Sequence, residues 1–139
     1  MRAPKLTSAL RYENPAAAIY FLCAAFGFTR HFVAEDGGHV VHAQLRFGDT
    51  LLFLGPDHAD DIYGMHAPRK LNGTNQCVCL AVEDVDAASA RAEKAGAVIV
   101  NSLHATPYGA REFSCRDPEG HIWSISDYWG EPAPNEEHT

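Results

Sequence analysis

No stretch of this chain comes near the ~20 consecutive apolar residues that a membrane-spanning helix requires, so no membrane partner is expected. Basic residues are few as well. Lys and Arg number 11 against 18 Asp and Glu, giving a formal net charge of -7 and a pI near 5.5. A surface of that sign repels a phosphate backbone, which excludes nucleic acid as an expected partner. Cysteine is sparse: Cys23, Cys77, Cys79 and Cys115 are the four. Cys77 and Cys79 sit two apart on a strand-like stretch, a poor geometry for a mutual disulfide. Reduced, buried thiols in a cytoplasmic protein are the expectation. The opening MRAPKLTSALRYENP has no continuous apolar core or small-residue cleavage pattern, so no secretory leader is expected.

What is present suffices for one compact domain: 139 residues, 46% of them hydrophobic. Lys5 to Arg11, short and bounded by turn formers, reads as a strand. Asn14-Pro15 announces a helix, because Asn caps well and Pro suits the first helical position. Ile19, Leu22, Cys23 and Phe26 follow at helical spacing, and Gly27 is placed to end the helix. Strands are expected over Phe28–Val33, His39–Phe47 and Thr50–Leu54. Residues 56–75, rich in Pro, Asp, His, Gly and Asn, break the pattern and read as a connecting loop. Cys77–Val82 is then a strand, Val85–Ala95 a helix capped by Asp84 and ended at Gly96, and Ala97–Asn101 a strand. Arg111 to Ser126 closes the pattern as a hairpin turning at Asp117-Pro118-Glu119-Gly120.

The halves repeat. Leu10 stands opposite Leu80 and Asn14 opposite Asp84 at a constant spacing of about 70 residues, and Gly27 stands opposite Gly96 at nearly the same spacing. Each half reads strand, helix, three strands. The expected organisation is one domain over 1–130: module one 5–55, connecting loop 56–75, module two 76–130, and a flexible tail 131–139 rich in Pro and Glu.

With paired βαβββ units, Asn14-Pro15-Ala16 and Asp84-Val85-Asp86 opening the helices, Phe26-Gly27-Phe28 closing the first, and RDPEGHIWSI near the end, the chain resembles the vicinal oxygen chelate superfamily. That group holds glyoxalase I, bleomycin-resistance proteins, fosfomycin-resistance proteins and extradiol dioxygenases. The resemblance implies an α+β fold in which the two modules form a curved, U-shaped mixed sheet with the helices outside. It also implies a homodimer. Its enzymes hold a metal with His, Gln or Glu from the first and last strands of each module. Carried over, those positions are Thr7, Leu52 or Phe53, Cys77 and Ser124. A divalent ion acting as Lewis acid needs several hard or imidazole ligands, and this set does not supply them.

Other residues were placed by periodicity. His42 and Gln44 share a strand face with Arg46, and His42 suits a hydrogen-bonding or acid–base role. His58, Asp60, Asp61 and His66 in the connecting loop match no closed zinc spacing and read as solvated. Arg11 and Arg111 are candidates to clamp a carboxylate or phosphate through the guanidinium fork. Trp123 is expected in the core, while Tyr128, in phase with Ser124 and Ser126, is expected to face the groove. The reading is a metal-independent protein that sequesters a small molecule, as bleomycin-resistance proteins do. Thr7, Arg11, His42, Phe53, Cys77, Arg111, Ser124 and Tyr128 line its groove, with no catalytic residue, metal or other cofactor. The alternatives are a glyoxalase-like lyase, isomerase or thiol transferase holding a metal through noncanonical residues such as His42, and a dimeric interaction module without a small ligand.

Overall fold

A computed structural model describes residues 1–130 of the chain; the expected tail, 131–139, lies outside the described residues. The element order is β1 (Ala9–Tyr12), α1 (Pro15–Phe26), β2 (Thr29–Asp36), β3 (His39–Phe47), β4 (Thr50–Pro56), α2 (Pro68–Leu71), β5 (Cys77–Ala81), α3 (Val85–Ala95), β6 (Val98–Ala105), β7 (Arg111–Arg116) and β8 (Ile122–Ser126). The fold is α+β, built from two βαβββ modules, with sheet orders β1-β4-β3-β2 and β5-β8-β7-β6. In both, the first strand runs parallel to the last and the remaining pairs are antiparallel.

Local chemistry sets the helix ends. Asn14 Oδ1 accepts the Ala17 amide at 3.1 Å, and Asp84 Oδ1 accepts the Ala87 amide at 3.0 Å. Gly27 closes α1 in the left-handed region at φ 82°, where a Cβ would be strained. The strands depart from expectation mostly at their ends. β1 starts at Ala9 rather than Lys5 and runs through Tyr12, because only from Ala9 onward does β4 offer a register partner. β6 extends to Ala105, carried past Asn101 by shifts in its register with β7. The connecting loop contains the short helix α2, opened by Pro68.

The core is one cluster shared by both modules. Leu10, Tyr12, Ala43, Leu45, Leu52 and Leu54 from the first sheet join Phe113, Cys115, Trp123 and Ile125 from the second; α1 packs on the first sheet, α3 on the second, and the two helices pack on each other. Trp123, fully buried, stacks on Phe26 (centroids 4.9 Å) and meets Phe28 edge-on (5.8 Å). Burial of one such side chain contributes about 1.5–3 kcal/mol. Of the thiols, only Cys115 is buried; Cys77 and Cys79 are exposed, since β5 is an edge strand with a free side.

No ladder joins β1 to β5, so polar contacts fix the modules against each other. The turn between β7 and β8 supplies them. Asp117 Oδ1 accepts the amides of Glu119 and His121 at 3.0 Å each, while Oδ2 accepts the Tyr12 hydroxyl at 2.5 Å and the Trp123 indole N–H at 3.1 Å. Glu119 accepts the amides of Glu13 and Asn14 at 2.6 and 2.9 Å, and His121 Nε2 donates to the Arg11 carbonyl at 2.7 Å. All three side chains are buried, at 3%, 7% and 4% exposure. Burial pushes the Tyr12 hydroxyl well above its ordinary pKa, with the Asp117 charge adding to the effect, so the phenol stays a donor.

The connecting segment is pinned by two aspartates. Asp57 accepts from Lys70 at 2.7 Å, from His66 at 3.2 Å and from the Ala67 amide. Asp61 accepts the amides of Tyr63 and Met65 and pairs with Arg11 at 2.8 Å. The Met65 amide, then Arg11, hold the Asp61 carboxyl down to about 2 against the opposing effect of burial. Pro68 packs so closely on the β7–β8 turn that a Cβ at Gly120 would sit 3.2 Å from the Pro68 ring.

Two outcomes test this framework. Asp117→Ala should cost about 3 kcal/mol or more in urea unfolding, since four donors lose their acceptor, whereas Tyr12→Phe should cost about 1 kcal/mol. A loss below about 1 kcal/mol for Asp117→Ala would show that the turn does not hold the modules. The Asp61 carboxyl is depressed in the folded state, so its contribution is complete above about pH 4 and disappears as pH falls toward 2. Asp61→Asn should therefore flatten that acid limb of the urea-midpoint profile relative to the parent protein; an unchanged limb would rule out this role.

Candidate functional site

Strand alternation gives each sheet a helix-covered face and a helix-free face. In the first module, Leu10, Ala43, Leu45, Leu52 and Leu54 are buried toward the helix, leaving Ala9, Arg11, His42, Gln44, Leu51 and Phe53 on the other side. Of Leu52 and Phe53, it is therefore Phe53 that belongs to the groove. In the second module the buried set is Leu80, Phe113, Cys115, Trp123 and Ile125, leaving Cys77, Cys79, Glu112, Ser114, Ser124 and Ser126 on the helix-free face.

The registers place these residues in matching rows. Phe32, Gln44, Phe53 and Ala9 lie across the first sheet; Asn101, Ser114, Ser124 and Cys79 lie across the second. Their side chains differ in kind. The first face is aromatic: the His42 ring lies 5.5 Å from Phe53 and 6.4 Å from Phe32. Gln44 Nε2 lies 3.2 Å from His42 Nε2, so the amide and the imidazole form a polar pair on this face. The second face is small and polar through Ser114, Ser124 and Ser126.

A cleft of about 430 Å³ opens where the two sheets approach, bordered by Leu6, Thr7 and Ser8 on one side and Cys77 to Leu80 on the other. Phe28, Phe47 and Leu52 form its apolar floor. Ser8 Oγ reaches Gln76 Oε1 across it at 3.4 Å. Of the candidates, Thr7 and Cys77 line this cleft together with Leu52; Arg11, His42, Phe53, Arg111, Ser124 and Tyr128 do not border it. Although Cys77 is exposed on the edge strand, desolvation of its sulfur against the cleft wall raises the thiol to about 11, with neighbouring Cys79 contributing.

The remaining candidates fall elsewhere. Arg11 is on the helix-free face but engaged by Asp61 of the connecting loop, a residue that is therefore bound rather than solvated as expected. Arg111 departs from its expected place. It is in phase with Phe113 and Cys115, so alternation turns it to the helix side, where it pairs with Asp86 at 2.9 Å. Tyr128 lies just past β8, edge-on to Tyr108 at 5.4 Å. The Tyr108 hydroxyl donates to Glu112 Oε2 at 3.3 Å, and Glu112 Oε1 lies 3.0 Å from His104 Nε2. Glu112 and Phe32 were not singled out from the sequence; the alternation of Glu112 against Phe113 and Cys115 carried the signal for the first.

The donor set does not fit the metal that the resemblance implies. Phe53 has no donor atom, Thr7 and Ser124 offer neutral hydroxyls, and the Cys77 thiol holds its proton far above neutrality. Among the described residues, no three of His, Cys, Asp and Glu are gathered to hold an ion.

Comparison with known proteins bears on the family and the fold. The model of the Glyoxalase/Bleomycin resistance protein/Dioxygenase superfamily matches residues 6–125. Uncharacterized protein Mb0911c of Mycobacterium bovis is 35% identical over 124 residues, covering 88% of this chain and 82% of that protein. Uncharacterized protein Rv0887c of Mycobacterium tuberculosis is also 35% identical, over 88% of this chain and 73% of its own length. Among solved structures, TioX from Micromonospora sp. ML1 aligns with a TM-score of 0.73 and 29% identity, over 89% of this chain and 98% of that one. Lactoylglutathione lyase from Agrobacterium tumefaciens aligns at 0.64 with 21% identity, over 94% and 98%, a likeness of fold alone.

A thiol that ionises only near pH 11 is a poor nucleophile at neutrality. Cys77 should therefore react with iodoacetamide well over tenfold more slowly than free cysteine near pH 8, by peptide mass spectrometry. Equal rates would mean that the cleft does not suppress its ionisation.

Proposed function

Given that this chain belongs to the Glyoxalase/Bleomycin resistance protein/Dioxygenase superfamily, we propose that it binds and sequesters a small molecule without a metal, using the helix-free faces of its two sheets. One observation carries the reading: at the four positions where the superfamily's enzymes hold a metal stand Thr7, Phe53, Cys77 and Ser124. Loss of donors there removes Lewis-acid chemistry on vicinal oxygens but leaves a surface suited to holding a ligand.

The ligand class follows from the two faces. Phe32, His42 and Phe53 offer a strip on which a planar, apolar ring system stacks. Ser114 and Ser124, paired across the second sheet, offer hydroxyls that fix orientation by donating or accepting. Thr7 and Cys77 line the cleft between, and Tyr128 closes the rim. Arg11 acts through Asp61, holding the connecting segment beside the groove. Arg111 is left out of this set.

The functional unit is the domain 1–130, acting as a homodimer in the cytoplasm. Phe32 on edge strand β2, and Val98 and Val100 on edge strand β6, are exposed and apolar, which supports association with a second copy. Four free thiols suit a reducing compartment. No described helix is long and apolar enough to cross a membrane.

Native mass spectrometry of protein purified from its own host tests the function. A co-purifying small molecule, together with divalent metal well below one equivalent, is the expected result. Stoichiometric zinc, manganese or nickel that is lost on His42→Ala would replace this reading with a metal-dependent lyase or isomerase of glyoxalase type.

A further inference from the structure

We propose that Glu112, Tyr108, Tyr128 and His104, at the rim of the second sheet, form a subsite for an ammonium-type cationic group of the ligand, and that this cation exchanges there for a proton held by His104. The inference rests on the ligand-binding reading and narrows its ligand class.

The protonation of the cluster follows from who can donate. His104 Nδ1 lies 2.8 Å from the Ser102 carbonyl, which only accepts, so Nδ1 carries a hydrogen. Nε2 lies 3.0 Å from a Glu112 carboxylate oxygen, a contact that is repulsive between two lone pairs and therefore holds a second proton. The Ser102 carbonyl and Glu112 both raise the His104 pKa, in keeping with that geometry. When protonated, the imidazolium occupies the cation position in the free protein.

The rest of the cluster suits a cation better than an anion. The Tyr108 hydroxyl holds the second carboxylate oxygen of Glu112 in place. The two tyrosine rings, edge-on at 5.4 Å and 42% and 39% exposed, leave an aromatic face open to the groove rim. Aromatic faces attract cations, most strongly where water is partly excluded. The charges adjacent to Glu112 along the chain and across to the end of β8 are otherwise engaged: Arg111 pairs with Asp86 of α3, and Asp127 accepts the Arg111 amide. An anion brought here would meet Glu112.

A bound cation beside Glu112 disfavours the imidazolium, so binding releases the His104 proton. Affinity for a ligand of fixed positive charge should then rise with pH through the region just above the usual histidine range.

Phenyltrimethylammonium and its neutral isostere tert-butylbenzene, titrated into the full chain and followed by NMR, test the idea. The cation should bind about tenfold more tightly near pH 8. Glu112→Gln should erase that preference. His104→Gln should keep the preference but flatten the pH dependence between about pH 6 and pH 8. Near-ultraviolet circular dichroism of both variants reports whether the fold is kept. Equal affinity for the two probes, or a preference that survives Glu112→Gln, overturns the subsite alone. Binding of neither probe overturns the subsite, and counts against the sequestration reading as well if native mass spectrometry also finds no bound molecule.

Discussion

The Asp117 carboxylate holds both ends of a junction that nothing else in the backbone closes. Its first oxygen shapes the β7–β8 turn, and its second draws in Tyr12 from β1 and the indole of Trp123. Glu119 and His121, on the same turn, then satisfy backbone groups at the β1–α1 corner. The amides of Glu13 and Asn14 lie just ahead of α1, and a buried corner needs acceptors for them. Here the second module supplies those acceptors to the first. A charge buried this deeply is costly unless its lone pairs are used, and these are.

Because the sheets share no ladder, the angle between modules depends on that junction, on the packing of α1 against α3 with Arg91 donating to the Cys23 and Ala24 carbonyls, and on the aromatic contacts of Trp123 with Phe26 and Phe28. The same angle sets the width of the cleft between Thr7 and Cys77. The connecting segment strengthens the arrangement from outside: Asp57 gathers Lys70, His66 and Ala67, and α2 rests its proline on Gly120. Twenty irregular residues would otherwise be a mobile strap. Stability and groove geometry are coupled through these few polar contacts.

Equivalent backbone carries unlike chemistry in the two halves. Gln44 and Phe53 in one module occupy the rows of Ser114 and Ser124 in the other, and His42 occupies the place of Glu112. One face has become aromatic and the other polar with a carboxylate at its edge. In the proposed reading, asymmetric faces on a symmetric scaffold favour one ligand orientation, since turning the ligand over would set its apolar part against hydroxyls.

Much of the architecture was legible in the residues, because it rests on short-range chemistry. Asn14-Pro15, Asp84, Gly27 and Gly96 mark helix ends through caps and backbone freedom that act within a turn. Alternation placed Trp123 in the core and Ser124 opposite it, and the repeat spacing announced two modules. The site was legible only in part. Periodicity says which residues share a face, but at a strand end it does not say what lies beyond, and so it did not show Arg111 turned toward Asp86. It could not tell Leu52 from Phe53 while the register with Ala9 was unknown. Nor could it reveal that Asp61 is wanted by Arg11, or that Asp117 and Glu119 serve the other half of the chain. Local rules reach about four residues along a chain; those partners lie far apart in sequence, and only packing of the whole brings them within a hydrogen bond.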